Sequence, residues 1–211
     1  MRGLPYYEEP EYHKYLTSRA RRELFPMNQL LAQLRWDGVE HLLDFGMGPA
    51  FYLSGFKEHM QEEAWVWGAE CQEVLIDLVL SLKNKDDITN FIPFFVERTE
   101  HPLLPDWIPP MDMIFCSCVL STFADPALAI RGIARALKEE ASIVVIDWER
   151  NEAPSGPDIA QKVSKDRMMY FIKDAGFKVF RTLRTNKYVY AMEIVRDPDY
   201  EDEYAYYGDI E

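Results

Sequence analysis

Two glycines follow a short apolar segment in the run Asp44-Phe45-Gly46-Met47-Gly48. Glycine lets a backbone turn sharply and approach a ligand closely. A helix that begins after such a turn presents free N–H groups and the positive end of its dipole to that ligand. The run therefore predicts a small-molecule site in the turn between a strand and a helix.

The residues around the two glycines favour one kind of nucleotide ligand over another. A dinucleotide site needs Gly-x-Gly-x-x-Gly, but Phe51 stands three positions after Gly48. Asp44, two residues before Gly46, would repel a pyrophosphate, whereas a carboxylate suits a ligand that carries a cationic amino-acid group. This contrast favours S-adenosylmethionine over NAD.

A second carboxylate, Glu70, ends the apolar segment 65–70, about 22 residues after Gly48. A carboxylate after a strand at this spacing can accept hydrogen bonds from both hydroxyls of a ribose. A solvated loop acid is the alternative interpretation. The position favours a role in ribose binding.

The remaining reactive residues form no recognisable catalytic set. Cys116 and Cys118 share one face of a predicted strand, but two ligands are too few for a metal, and buried cysteines explain them as well. His101 is the best base candidate, with an ordinary surface histidine as the alternative. The histidines lack metal-ligand spacing: His13, His41, His59 and His101. We therefore predict no metal site and assign no catalytic residue.

Strand and helix patterns alternate along the chain. The predicted strands cover residues 41–45, 65–70, 91–96, 113–120, 142–147, 177–184 and 188–196. The predicted helices cover 21–36, where Pro26 interrupts the helix or starts its second half, the segments containing Leu53 to Met60 and Leu75 to Leu82, a segment starting at Asp125-Pro126, and 164–174. This order predicts an α/β fold, a Rossmann-like doubly wound sheet of seven mostly parallel strands with a C-terminal antiparallel hairpin strand.

Composition limits the class of protein. The chain has 211 residues, three cysteines and a net charge of −13, which argues against nucleic acid as a partner. No apolar run approaches the roughly 20 residues that span a bilayer, and no secretory signal is visible, so we expect a cytoplasmic protein with reduced thiols. We expect one domain over 1–196, of which 1–36 form a helical cap, and an acidic, Tyr-rich tail over 197–211.

Three runs carry a resemblance to a known family: LLDFGMGPAFYL, WVWGAECQEVL, and MDMIFCSCVLSTFADPALAIRGIARALKEEASIVVIDWE. They resemble class I S-adenosylmethionine-dependent methyltransferases, and the group that looks most similar is the ubiquinone/menaquinone-biosynthesis, or type 11, methyltransferases. The resemblance covers nearly all of residues 20–196. It implies methyl transfer from S-adenosylmethionine to a small-molecule acceptor. Apart from the resemblance, a homodimer is one option for the assembly.

The resemblance also implies roles for particular residues. The acid beside the glycines usually faces the methionine end of the cofactor, and Glu70 matches the acid that binds ribose. The acid that meets the adenine falls at Glu97, or Arg98 occupies its place if the alignment shifts by one residue. The predicted cofactor-binding residues are Asp44, Phe45, Gly46, Met47, Gly48, Tyr52, Glu70, Cys71, Glu97, Arg98, Cys116 and Ser117.

The sequence departs from the family pattern in two places. Ala50 stands where the family has a third glycine, and its methyl group is tolerable in a right-handed helical backbone but unfavourable at positive φ. Lys138-Glu139-Glu140-Ala141 replaces the usual turn before the fifth strand. The change at 138–141 bears on loop shape rather than chemistry. Ala50, the lack of an evident base and the acidic, Tyr-rich tail keep open a non-catalytic protein that binds the cofactor or a partner, beside the enzyme. An NAD(P)-linked oxidoreductase is opposed by Phe51 and Asp44.

The acceptor side of the site is predicted from position alone. Trp148, at the end of the fifth strand, is a candidate wall of the acceptor pocket, and the loop 149–163 is a candidate gate. Four tyrosines near the N-terminus are candidates for a lid, with a plain core-covering segment as the alternative: Tyr6, Tyr7, Tyr12 and Tyr15.

Overall fold

A computed structural model describes residues 10–200 and shows one seven-stranded sheet. The strands are β1 (His41–Phe45), β2 (Trp65–Glu70), β3 (Phe91–Phe95), β4 (Met111–Ser117), β5 (Leu137–Trp148), β6 (Phe177–Thr182) and β7 (Val189–Arg196). Their order across the sheet is β3-β2-β1-β4-β5-β7-β6, and only β7 runs antiparallel to its neighbours. The predicted fold class is confirmed.

Seven α-helices connect the strands and cover the start of the described chain. They are α1 (Pro10–Leu16), α2 (Arg19–Leu24), α3 (Met27–Leu31), α4 (Leu53–His59), α5 (Glu73–Lys85), α6 (Pro126–Ile133) and α7 (Lys165–Asp174). The interruption predicted at Pro26 within the helical segment 21–36 is confirmed, although the second helix ends at Leu31, short of residue 36. The chain breaks at Pro26, which lacks an N–H and disfavours helical backbone before it, so two short helices replace one.

Side chains on the two faces of the sheet form two separate apolar clusters. Successive strand residues point to opposite faces, so Leu43 of β1 joins one cluster and Leu42 the other. The first cluster includes Ile130 of α6 and Ile172 of α7, and the second includes Phe56 of α4. Each face is therefore covered by helices, as a mostly parallel sheet requires.

Strand boundaries differ from the prediction where proline and tertiary pairing intervene. Pro93 lies inside β3, opposite Gly68, rather than at the start of the strand. β3 is an edge strand, where a missing N–H need not break the ladder. β4 ends at Ser117, so the predicted continuation of this strand to Leu120 is wrong. A 3₁₀ turn begins at Leu120.

The turn predicted at 138–141 is also wrong, because β5 begins at Leu137 and runs through it. Lys138 pairs with Asp112, whose other oxygen accepts the Glu40 and His41 N–H groups at 3.1 and 2.9 Å. This cluster joins β1, β4 and β5 at their shared end, opposite the carboxyl ends of β1 and β4. Residues 138–141 lie in a shift of the β4–β5 register, between the pairs Met111–Leu137 and Met113–Ser142.

The described part of the tail packs on the domain. The Tyr200 hydroxyl donates to the Asp174 carbonyl at 2.9 Å, and Lys178 binds Asp197 at 3.1 Å. Residues 201–211 and the lid candidates Tyr6 and Tyr7 lie outside the described residues.

Candidate cofactor site

A pocket of about 900 Å³, including its open mouth, lies at the carboxyl ends of β1, β2 and β4. In a doubly wound sheet, this is where the strand order reverses and ligands bind. The structure brings eleven of the twelve predicted residues to it: Asp44, Phe45, Gly46, Met47, Gly48, Tyr52, Glu70, Cys71, Glu97, Arg98 and Ser117. Cys116, which the resemblance places at the site through its backbone, is not among the lining residues, and its side chain lies in the core on one face of the sheet.

The glycine turn after β1 needs its glycines for conformation and for space. Gly46 and Gly48 have φ values of 73° and 54°, which L side chains rarely adopt. A Cβ on Gly46 would also lie 2.5 Å from Cγ2 of Val119. The Gly46 and Met47 N–H groups donate to the Ala69 carbonyl at 2.9 and 3.0 Å, which joins the turn to the end of β2.

Glu70 is held against this turn by three backbone donors. Its Oε2 accepts the Gly48 N–H at 2.9 Å, and its Oε1 accepts those of Cys71 and Gln72 at 2.8 and 3.1 Å. These bonds position a buried carboxylate at the pocket wall, where it can also accept hydrogen bonds from a ligand.

Asp44 is 4% exposed at the end of β1. Burial and the nearby charge of Glu70 raise the pKa of Asp44 to about 7, although the positive charge of Arg21 acts in the opposite direction. A buried carboxylate in this state gains most from a cationic ligand group, because such a group restores the stability of the charged form.

The predicted adenine side holds both residues between which the alignment was uncertain. Glu97 is exposed, while Arg98 donates to the Thr122 carbonyl at 2.6 Å and lies over the Phe123 ring at 5.2 Å. Both line the pocket, together with the apolar side chain of Val96.

The opposite side of the pocket is aromatic and apolar. Tyr12 and Leu16 of α1 approach the glycine turn, and a Cβ on Gly48 would lie 3.6 Å from Leu16. The ring centroids of Tyr52 and Phe115 lie 4.7 Å apart. The Ser117 hydroxyl donates a hydrogen bond to the phenol oxygen of Tyr52 at 3.3 Å. These side chains form a water-poor wall beside the predicted methionine end.

Sequence reasoning did not include Arg21 and Cys118 in the pocket. Arg21 belongs to a run of two arginines in α2, but its side chain is buried, whereas that of Arg22 is exposed. Cys118 follows β4 and has a φ of 58°, which is outside the range of a strand. Its side chain therefore does not share a face with that of Cys116, contrary to the prediction from the sequence. Only long-range packing distinguishes these residues from their neighbours.

The acceptor-side predictions have mixed outcomes. Trp148 is buried and packs edge-on against Phe25 at 4.8 Å, so it lies behind the pocket wall rather than in it. The loop 149–163 covers it, with Gly156 against its ring, and Ser155 contacts the Tyr15 hydroxyl at 3.4 Å. His101 is exposed and does not line the pocket.

Ala50 adopts the unfavourable conformation named from the sequence, with a φ of 57°. Left-handed backbone costs an alanine about 1–2 kcal/mol. Ala50 is nevertheless not among the pocket-lining residues, so its methyl group does not narrow the site. Alanine in place of glycine at position 50 therefore lowers the free energy of unfolding, but it does not reduce the space for a ligand.

Residues 10–200 show neither a membrane-spanning helix nor a cluster of metal-binding side chains. None of the helices in this range is long and apolar enough to cross a bilayer. The same range contains no group of three or more His, Cys, Asp or Glu side chains arranged to hold a metal ion.

S-adenosylmethionine fits the charges and shape of this pocket. This cofactor carries an ammonium group and ribose hydroxyls, and the pocket offers two buried carboxylates, Asp44 and Glu70, of which the second is bonded to the glycine turn. The walls near Val96 and Phe123 are apolar, as an adenine ring requires. A pyrophosphate would instead meet two carboxylates beside the turn.

Solved structures of methyltransferases share this fold. A S-adenosylmethionine-dependent methyltransferase from Aquifex aeolicus superposes with a TM-score of 0.79 at 24% identity, covering 88% of this chain and 97% of the other. A type 11 methyltransferase from Sulfolobus solfataricus has a TM-score of 0.61 at 17% identity, with coverages of 88% and 98%.

A third structure belongs to a longer enzyme, an O-methyltransferase from neocarzinostatin biosynthesis in complex with S-adenosylhomocysteine and 1,4-dihydroxy-2-naphthoic acid. Its TM-score is 0.70 at 16% identity, and the match covers 88% of this chain but 57% of that enzyme. No match is found among curated protein sequences.

The family comparison agrees with the fold. A family described as methyltransferase domain matches residues 37–196, which is most of the chain and includes every strand of the sheet. The resemblance to class I S-adenosylmethionine-dependent methyltransferases is confirmed, and the chain belongs to this methyltransferase-domain family.

Proposed function

We propose that this protein is an enzyme that transfers a methyl group from S-adenosylmethionine to a small-molecule acceptor. The observation that carries the proposal is the pair of buried carboxylates, Asp44 and Glu70, on either side of a glycine turn at the carboxyl ends of β1 and β2. The part of the pocket beside these carboxylates, which Tyr12, Phe51 and Tyr52 line, has room for an acceptor. The family match to residues 37–196 supports the same reaction class.

We assign cofactor binding to the predicted residues that line the pocket. Asp44 attracts the ammonium group, Glu70 accepts hydrogen bonds from the ribose, and the glycine turn allows close approach of the backbone. The other members of the assigned set are Phe45, Met47, Tyr52, Cys71, Glu97, Arg98 and Ser117.

The chain contributes to transfer mainly by alignment and by exclusion of water. Bound S-adenosylmethionine supplies a methyl group that its sulfonium already activates. Tyr12, Tyr52 and Cys118 keep their protons at neutral pH because burial raises the pKa of each. None of them is therefore a ready base, and orientation of the acceptor in line with the methyl–sulfur bond carries the reaction.

The acceptor class and the setting of the protein are further parts of this proposal. An apolar or aromatic acceptor suits a wall that includes Tyr12, Phe51 and Tyr52, and the 1,4-dihydroxy-2-naphthoic acid bound by the neocarzinostatin enzyme is of this kind. The net charge of −13 disfavours a nucleic-acid acceptor. We further propose that the protein is cytoplasmic. We also propose that it forms a homodimer, and light scattering would distinguish this homodimer from a monomer by its molar mass.

Calorimetry with three ligands tests the proposal. We expect low-micromolar or tighter binding of S-adenosylmethionine and S-adenosylhomocysteine, and no binding of NAD. Glu70→Gln should weaken S-adenosylhomocysteine binding about tenfold or more, because it removes a charged acceptor. Asp112→Asn is the matched control, since it alters a carboxylate at the opposite end of the sheet. Failure of the wild type to bind either sulfur ligand would contradict the proposal.

A further inference from the structure

A buried positive charge lines the pocket, and methyl transfer as described does not use it. Arg21 of α2 is 4% exposed and lies near Tyr12, Tyr52 and Cys118. Its Nε and Nη1 atoms are buried and have no hydrogen-bond partner among residues 10–200. Buried guanidinium groups normally have their donors satisfied, so these two atoms require an explanation.

The surroundings of Arg21 hold it in place but give it no ion pair closer than 4 Å among residues 10–200; the buried carboxylates of Asp44 and Asp147 interact with its charge only over a longer range. The rings of Phe25 and Phe51 lie 4.7 and 5.1 Å from its guanidinium carbon. Within residues 10–200, the ion pairs closer than 4 Å all involve other arginines and lysines. Burial raises the pKa of the neighbouring Cys118 thiol to about 12, so this group is neutral at pH 7.

The missing partner has a definable chemistry. A guanidinium is planar, stays charged when buried, and presents donors in a fork that matches a carboxylate. A phosphate dianion is disfavoured, because Asp44 and Glu70 already bring negative charge to the same pocket. A monoanionic carboxylate carried by a ligand meets both conditions.

We propose that Arg21 binds a ligand carboxylate in this pocket, an inference that rests on the proposed function. Two ligands can supply it: the methionine end of the cofactor, or an acidic acceptor. Asp44 and Arg21 then form a complementary pair, with the acid facing an ammonium group and the arginine facing a carboxylate. This pairing explains why a positive charge is kept buried at the start of the chain.

The first measurement compares ligands with and without a carboxylate. Arg21→Met is titrated by calorimetry with S-adenosylhomocysteine and with 5′-methylthioadenosine, which lacks the amino-acid part. If the carboxylate is that of the methionine end, the variant should bind S-adenosylhomocysteine about 10- to 100-fold more weakly than wild type, and 5′-methylthioadenosine within about twofold. Arg22→Met, next along the chain but exposed, is the matched control and should change neither affinity.

The second measurement addresses the acceptor. Wild type and Arg21→Met, both saturated with S-adenosylhomocysteine, are titrated with benzoate and with its neutral isostere benzamide. Loss of benzoate binding in the variant, with S-adenosylhomocysteine affinity unchanged, assigns Arg21 to an acidic acceptor. Unchanged S-adenosylhomocysteine affinity without loss of benzoate binding overturns the proposal.

Folding and the proposed function are checked separately. If Arg21→Met does not give folded protein by circular dichroism, Arg21→Lys decides, because it keeps the charge but lacks the planar fork. At least a fivefold weaker affinity for S-adenosylhomocysteine or benzoate then supports the proposal, and unchanged affinity for both overturns it. Wild-type binding of S-adenosylhomocysteine tests the proposed function, whereas the ratio between variant and wild type tests Arg21.

Discussion

The buried charge of Asp44 lowers the free energy of unfolding of the ligand-free protein, and this loss can be measured. Burial and the charge of Glu70 raise its pKa from 3.8 to about 7. Because the pKa is higher in the folded state than in the unfolded state, the contribution of Asp44 to stability decreases as pH rises from about 4 through 7. A shift of about 3 pH units corresponds to about 4 kcal/mol once the group is ionised.

The perturbation is Asp44→Asn, which keeps the size of the side chain and removes its ionisation. Urea unfolding should show the ligand-free variant to be about 2–4 kcal/mol more stable than wild type at pH 8. At pH 4 the two proteins should differ by less than about 1 kcal/mol, because wild-type Asp44 is then protonated when folded. The variant should nevertheless bind S-adenosylhomocysteine about 10- to 100-fold more weakly, since it lacks the charge that attracts the ammonium group.

The pH dependence of binding gives an independent readout. The ionised fraction of Asp44 rises from about one tenth at pH 6 to about one half at pH 7, so the wild-type Kd for S-adenosylhomocysteine should fall about fivefold over this range. The variant should show no such change, and neither should wild type with 5′-methylthioadenosine, which has no ammonium group. A variant that is no more stable at pH 8, or a wild-type Kd that is flat between pH 6 and 7, would refute the reasoning.

Three further predictions concern the glycine turn and the opposite end of the sheet. Gly46→Ala should lower the free energy of unfolding by about 1–3 kcal/mol more than Gly38→Ala. Both glycines have positive φ, but only at Gly46 does a Cβ meet Val119, so urea unfolding of the two variants isolates that contact. Ala50→Gly should raise the free energy of unfolding by about 0.5–1 kcal/mol, since relief at a φ of 57° outweighs the added entropy of the unfolded chain; an unchanged midpoint would contradict the assigned backbone. Asp112→Asn should lower stability by about 1 kcal/mol at pH 7. Although burial opposes it, bonds from Lys138 and the His41 and Glu40 amides lower the pKa of Asp112, so wild type should lose this stability as pH falls below about 4, while the unfolding midpoint of the variant changes less.

Local features of the site were predictable because they depend on neighbours in the chain. A glycine turn after an apolar segment and an acid after the next strand specify backbone conformations within a few residues, and the structure brings both to one pocket. Parallel pairing follows from the alternation of strands and helices, because a helix between two strands returns the chain to the end of the sheet where the first strand began. Gly46 and Glu70 were therefore identified from sequence spacing alone.

Other features depend on contacts between residues far apart in the chain. Residues 138–141 belong to β5 because Leu137 and Ser142, on either side of them, pair with Met111 and Met113 of β4 across a shift in register. Cys116 enters the core while Cys118 lines the pocket, because the strand ends between them with a change to positive φ. A periodic sequence pattern contains no information about where such a strand ends.

The sequence by itself determined the fold class, the glycine turn and the two carboxylates of the site, since each follows from local spacing and composition. Only the tertiary structure decided that Arg21 is buried in the pocket while Arg22 is exposed, that Trp148 lies behind the wall, and that Ala50 does not narrow the site. The physical reason is that burial depends on how helices dock across the sheet. Two adjacent arginines are chemically identical until that docking places one of them inside.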